Sequence, residues 1–497
     1  MKNIDIARDS FNPRKNFSRV LKQQGRVELE SDWNEQAAIT LRCMRLMMND
    51  LIGPYGGPNH DCGFRVLVPG EKDLDDSESS KHESLNKKML EDCKAGDLVL
   101  SQGRYYVDGL LCEVHEPFRY TDQSAGRNPP LEVAQKQCRL VYLDVWEREV
   151  TALEDESVRE VALGGGDTAA RLQVVWRVRA VTVNQSEEGK PKNTSPGDLL
   201  PIWTDHVRSF QPMHRGAMSA RARQINLDSN PESPGAEGSY RGLENQLYRV
   251  EIHRGGKCAE HHGATFKWSR DNGTVAFGVE HCAHDDNTHI RVTLATTGRD
   301  DSTSLAIGDA VEFCAVSGQD HELAGVLFEV VVLDLPNRLV TLLRPIPLDS
   351  KAASAAVSGD KDHPLILRRW DHGTGARKRG ELVLSDGAVP IKEGRWLPLE
   401  DGIEIWFEPL KANAAHHYRA GDYWLIPARV ATGDVDWPGH AGHAVPLPPH
   451  GVEHHYAPLA LVDVTTEKTV LLAPLTRRFG YHRLKDLGRD AFARDGE

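Results

Sequence analysis

Nowhere does the chain carry the about twenty predominantly apolar residues that a membrane-spanning helix needs. A bilayer-crossing helix is therefore not expected. The opening MKNIDIARDSFNPRKN is polar, so no apolar signal region is read there and synthesis in the cytoplasm without Sec export is expected. Cysteine is too sparse and too irregularly placed for a disulfide framework: the eight residues Cys43, Cys62, Cys93, Cys112, Cys138, Cys258, Cys282 and Cys314 read as reduced thiols. The familiar catalytic signatures are missing as well: there is no G-x-S-x-G, H-E-x-x-H, Walker loop or G-x-G-x-x-G. The one glycine cluster, Gly164-Gly165-Gly166-Asp167, lacks the Lys-Ser/Thr that would reach phosphate and magnesium, and reads as a turn. Concentrated basic charge is absent too. A net charge of −13 spread along the chain argues against nucleic acid as the main partner and favours solubility before assembly.

What is present is the composition of a soluble globular chain, 39% hydrophobic and 27% charged over 497 residues, enough for several domains each with its own core. The best-marked stretch is Gln24 to Leu51, a strand-like RVEL followed by a helix. Ser31 or Asp32, with Glu35 following, supplies an N-terminal cap, and Gly53-Pro54 ends the helix. Between them Trp33, Ala37, Leu41, Met44, Met48 and Leu51 recur in steps of four and three, which draws one apolar stripe along the helix. From Ala37 onward the spacing also fits a heptad seam, so the candidate role is oligomerisation or docking, with a homotrimer favoured; the plainer reading docks the helix on its own β body. Ahead of it, residues 1 to 30 form the most basic part of an acidic protein, with Arg8, Arg14, Lys15, Arg19, Lys22 and Arg26. They read as an assembly arm.

Helical periodicity is hard to find between Gly96 and Leu475, where alternating runs and turn dipeptides dominate. Asp108-Gly109 and Asn272-Gly273 are hairpin signals. The expected architecture is mainly β: an arm and single helix over 1–56, then β-sandwich or β-barrel modules over 97–227, 241–348 and 363–475, and a tail over 476–497. Gly70 to Gly96, acidic and serine-rich, reads as an exposed insertion. Pro- and Gly-rich stretches around 187–198 and 228–242 read as loops or boundaries.

Chemistry is thinly marked, and no catalytic residue or cofactor is called for. Cys258, His261, Cys282 and His284 make a candidate zinc set from a C-x-x-H start and a second Cys/His pair, although the spacing is not that of a zinc finger and loop histidines are the plainer account. His440, His443, His450, His454 and His455 also cluster, but adjacent histidines on an extended chain point apart. Asp434 and Asp436 flank Trp437 as a candidate carboxylate pair beside a sugar-stacking ring; turn and packing roles compete. Tyr105, Tyr106, Trp268, Trp424 and Trp437 read first as β core and second as a carbohydrate platform.

FNPRKNFSRVLKQQGRVELESDWNEQ, GRYYVDGLLCE, FKWSRDNGTVAF and GDYWLIPARVATGDVDWP with PPHGVEHHYAPLALV resemble a bacterial family associated with phage-tail-like contractile injection systems. The N-terminal block also looks like the opening of phage tail-fibre and baseplate proteins. The resemblance implies a non-catalytic structural component, baseplate-peripheral or fibre-type, with other tail and baseplate subunits as partners. The alternatives are a receptor- or carbohydrate-binding protein of such a particle, contacting a surface glycan, and a metal-dependent or glycosidic hydrolase.

Overall fold

The computed structural model describes residues 4–67, 80–123, 126–133, 137–163, 167–184, 196–211, 214–223, 240–258, 263–286, 288–315, 325–344, 365–373, 384–385, 387–410, 415–440, 443–466 and 468–480. The fold is mainly β, as expected, with three α-helices among the described residues: α1 (Glu30–Ile52), α2 (Ser80–Glu91) and α3 (Pro196–Phe210). Residues 1–37, 148–173 and 212–452 form one compact unit; 38–147, 174–211 and 453–497 form a second.

The first unit contains a closed six-stranded barrel in the order Ala276–His284, His289–Leu294, Leu339–Leu343, Leu327–Asp334, Ala310–Ala315 and Leu365–Trp370. Strand alternation fills it. In His289–Leu294, Ile290, Val292 and Leu294 point inward while Arg291 is exposed, the period of two that a half-buried strand requires. Inside, Phe313 meets Phe328 edge-on with ring centroids 5.4 Å apart. Closure leaves no open edge for another chain to extend. The unit also holds a five-stranded sheet (Val389–Pro390, Thr265–Ser269, Gln246–Arg254, Tyr423–Arg429, Asp434–Val435) and a three-stranded one (Met218–Ala222, Ile403–Phe407, Trp396–Pro398). These two sheets share one core around Trp268, Trp424, Phe266 and Phe407.

In the second unit, Thr469–Pro474, His454–Val464, Gln137–Val150 and Arg171–Asn184 make one four-stranded sheet. A second follows the order Arg478–Phe479, Tyr55–Pro58, Gly103–Val107, Leu110–Val114. α3 covers part of the first of these sheets: Trp203 and Phe210 pack on Tyr142, and Phe210 also reaches Tyr456.

The modules read from composition do not survive as consecutive blocks. Strands pair across their boundaries: Leu365–Trp370 closes the barrel against Ala276–His284 and Ala310–Ala315, Met218–Ala222 pairs with Ile403–Phe407, and His454–Val464 pairs with Gln137–Val150. The single-helix expectation is corrected by α2 and α3. α2 begins within the stretch read as an exposed insertion, whose residues 70–79 lie outside the described residues. α3 carries Pro201 as its sixth residue, beyond the first turn, where proline removes an intrahelical N–H donor, and it packs through Trp203 and Phe210. The loop candidates at 187–195 and 228–239, and the glycine cluster at 164–166, also lie outside the described residues.

Both turn dipeptides adopt left-handed backbone, with φ +47° and +77° at Asp108 and Gly109 and +50° and +68° at Asn272 and Gly273. The first joins a true hairpin, with Val107 opposite Leu110. The second is a corner instead, because Thr265–Ser269 stays in the five-stranded sheet while Ala276–His284 enters the barrel. Tertiary bonds fix that corner. Asn272 N donates to Leu247 O at 2.9 Å, and Arg249 Nη1 donates to Asn272 Oδ1 at 3.3 Å.

Candidate docking surface

α1 is seated by its less apolar face. In the second unit Arg45 donates to Glu147 Oε1 at 2.5 Å, and the backbone of Arg45 lies so close to Gly109 that a Cβ there would come within 2.8 Å of its Cα. Ile39 and Ile52 are buried. In the first unit Ser10 Oγ donates to Glu35 Oε2 at 2.7 Å, and Ala7 N donates to Glu30 Oε1 at 2.8 Å. Ser31, Glu35, Ile39, Arg45, Asn49 and Ile52 thus mark the covered side, and most of them are polar. At the C-terminus Gly53, with φ +93°, donates its N–H to Asn49 O at 2.8 Å and ends the helix as its sequence implies. The start differs slightly: the helix begins at Glu30, so Ser31 and Asp32 lie in its first turn.

The expected apolar stripe faces the other way. Trp33 is 63% exposed, Leu41 43%, Met44 53% and Leu51 78%; Ala37 is exposed and Met48 half-buried at the edge. Met47, beside the stripe, is 56% exposed. The polarity of this helix is therefore inverted relative to a surface helix packed on its own core. Single exposed apolar residues are ordinary on a protein surface, whereas a contiguous exposed set such as this one is not.

The chain before α1 divides in two. Residues 4–10 are a strap tied to the first unit: Asn272 Nδ2 donates to Ile4 O at 2.9 Å, Arg429 Nη2 to Ala7 O at 3.1 Å, and the Ile6 side chain is buried. This corrects the reading of residues 1–30 as one free arm. Residues 12–29 are almost wholly exposed, and the expected RVEL run is not a strand.

A second feature, unread in the sequence, is a buried charge network in the first unit. Lys267, 3% exposed, places Nζ 2.5 Å from Glu312 Oε2 and 3.4 Å from Glu251 Oε1, with the Trp370 ring centroid at 4.3 Å. Trp370 Nε1 donates to the same Glu312 oxygen at 2.8 Å. Arg249, fully buried, donates through Nε to Glu251 Oε2 at 2.7 Å and stacks 3.6 Å from the Tyr423 ring centroid. Burial alone would lower the Lys267 amine, but the Glu312 and Glu251 carboxylates overcome it and hold it above the ordinary lysine value. That lysine is a charged anchor. Nearby, Arg270 clamps Glu400 with two bonds of 2.8 and 2.7 Å, and Arg369 reaches Asp271 and Asp371 at 3.4 Å each. Burial pushes Glu400 up to about 7 against the pull of Arg270, and burial with the charge of Asp371 pushes Asp271 up to about 6. His372, fully buried, donates through Nε2 to Gly387 O, 2.9 Å away, and burial lowers it to about 4.

The model of one family matches residues 1–192 and 210–471. The chain belongs to DUF6519, a family of unknown function. No curated protein and no solved structure matches it. The DUF6519 match spans both α1 and the strands that carry the charge network.

The remaining candidates disperse. Cys282 sits inside the barrel, where burial raises its thiol to about 12, whereas Cys258 packs against the core of the other two sheets. The two cysteines of the zinc set thus belong to different cores, His261 lies outside the described residues, and the His284 side chain likewise. Among the described residues no group of three or more His, Cys, Asp or Glu side chains is arranged to hold a metal ion. His454 and His455 diverge as strand alternation requires, to Asp144 at 2.6 Å and Asp108 at 2.9 Å. Asp434 opens the edge strand Asp434–Val435, its Oδ1 accepting from Val435 N at 2.7 Å, and Trp437 packs on the core with Nε1 donating to Val445 O. Tyr105, Trp268 and Trp424 are core residues, which removes them as a carbohydrate platform.

Proposed function

We propose that the chain is a non-catalytic structural subunit of a phage-tail-like contractile injection particle, baseplate-peripheral or fibre-type, that self-associates through α1, most simply as a trimer. The outward apolar stripe of α1 carries the reading, because a helix seated by its polar side and presenting a heptad face gains stability when another chain covers that face. The N-terminal resemblance to tail-fibre and baseplate proteins supports the particle context. The charge network suits the same role: Lys267 and Arg249 are fixed, ionised anchors between strands rather than nucleophiles. The chain is made in the cytoplasm and joins the particle there, alongside other tail and baseplate subunits. No helix among the described residues is long and apolar enough to cross a membrane.

Electron microscopy of particles assembled with and without the chain tests the proposal. Loss of a discrete density, or loss of particles, is expected. Indistinguishable particles with the chain absent would refute the particle role.

A further inference from the structure

The segment between the strap and α1 is both apolar and basic. Ten of the 23 large hydrophobic residues exposed among the described residues fall between Phe17 and Leu51, and four of them, Phe17, Leu21, Val27 and Leu29, precede the helix. Residues 11–27 also carry five Lys or Arg and no Asp or Glu, on a chain of net charge −13. The segment is locally shaped: Asn12 accepts from Arg14 N to start a short turn at Pro13–Lys15, and Asn16 closes it with φ +54°. Its ties to its own chain are few. Val20 N donates to Gln36 Oε1 at 2.8 Å, Lys22 pairs with Glu28 at 2.8 Å, and Lys22 lies 4.4 Å over the Trp33 ring. That last contact brings the segment to Trp33, the first residue of the α1 stripe.

Resting on the self-association reading, we propose that residues 17–29 of one copy lie across the α1 stripe of a second copy, so that neighbouring chains exchange arms. Two arguments select a second copy as the occupant. The stripe itself, Ala37, Leu41, Met44, Met48 and Leu51, bears no charge, so it can receive the exposed Phe17, Leu21, Val27 and Leu29 of another copy's arm without desolvating a charge. The arm's Arg19, Lys22 and Arg26, against its single Glu28, then meet a body that is acidic in every copy, which is the charge complementarity a basic segment needs. Each chain brings one arm and one acceptor, so every copy can both give and receive an arm.

Two variants of the full chain, compared by light scattering and thermal unfolding at micromolar concentration, test this. Phe17→Asp, Leu21→Asp and Val27→Asp together change only exposed arm positions, while Leu41→Asp with Met44→Asp changes the stripe. The arm variant is expected to keep the melting temperature and to weaken association by about tenfold or more. If it associates as the unmodified chain does while the stripe variant falls apart, arm exchange is wrong and the helix seam stands. A large loss of melting temperature in the arm variant would also overturn the inference, since the segment would then belong to its own core. An unmodified chain that is monomeric throughout would overturn both readings.

Discussion

Leu41→Asp with Met44→Asp is the most informative perturbation of α1. Met48 is the less suitable target because it is half-buried beside the seated face. The chosen side chains are 43% and 53% exposed in the isolated fold, so polar replacement there should cost no more than about 0.5 kcal/mol of stability each. In an assembled seam the balance is different. Covering the exposed half of a leucine or methionine is worth roughly 1 kcal/mol per residue, from about 1.5–3 kcal/mol for full burial. Each aspartate adds a desolvation cost of at least about 1 kcal/mol more. The sum is about 4 kcal/mol per chain, on the order of a thousandfold in association. Multi-angle light scattering should therefore show monomers for the variant and an oligomer for the unmodified chain, with melting curves that differ little. The reasoning fails if the variant melts many degrees lower, because the stripe would then be packed on its own chain.

Glu312→Gln should destabilise the first unit by roughly 3 kcal/mol in denaturant unfolding, since it leaves the buried Lys267 ammonium with Glu251 alone. A loss below about 1 kcal/mol would mean that water reaches the lysine. His372 is neutral in the fold with a value lowered to about 4, so the unfolded chain takes the extra proton as pH falls from about 6.5, and stability is lost down to about 4. Glu400 and Asp271, raised in the fold, bind protons more readily there and oppose that loss over the same window. The difference in stability between the unmodified chain and His372→Asn should accordingly grow against the histidine below pH about 6.5, and a flat difference would refute the assignment. Elemental analysis should find no stoichiometric zinc; one equivalent lost on Cys258→Ser with Cys282→Ser would restore the metal site.

The local features were legible and the distant ones were not. Steps of four and three gave α1, Gly53 gave its end, and Asp108-Gly109 gave a hairpin, because each is set within a few residues. The stripe on α1 was visible too, but periodicity says which residues share a face and not whether that face points inward. That depended on Arg45 meeting Glu147 and on Gly109 letting the helix backbone come close. Asn272-Gly273 reported its backbone angles correctly and its strand partners wrongly, since Arg249 and Leu247 decide where the corner turns. The charge network escaped notice because Lys267, Glu251 and Glu312 look like solvent-facing strand residues until strands from separate parts of the chain enclose them.

Methionine oxidation in the native protein tests the central claim most directly. Met44 and Met47 are 53% and 56% exposed in the single chain, so dilute peroxide should convert both to sulfoxide quickly unless another chain covers them. Peptide mass spectrometry is predicted to show both protected in the unmodified protein, and Met47 oxidised rapidly once Leu41→Asp with Met44→Asp has separated the copies. Rapid oxidation of both residues in the unmodified protein, at the rate found after separation, would contradict the account.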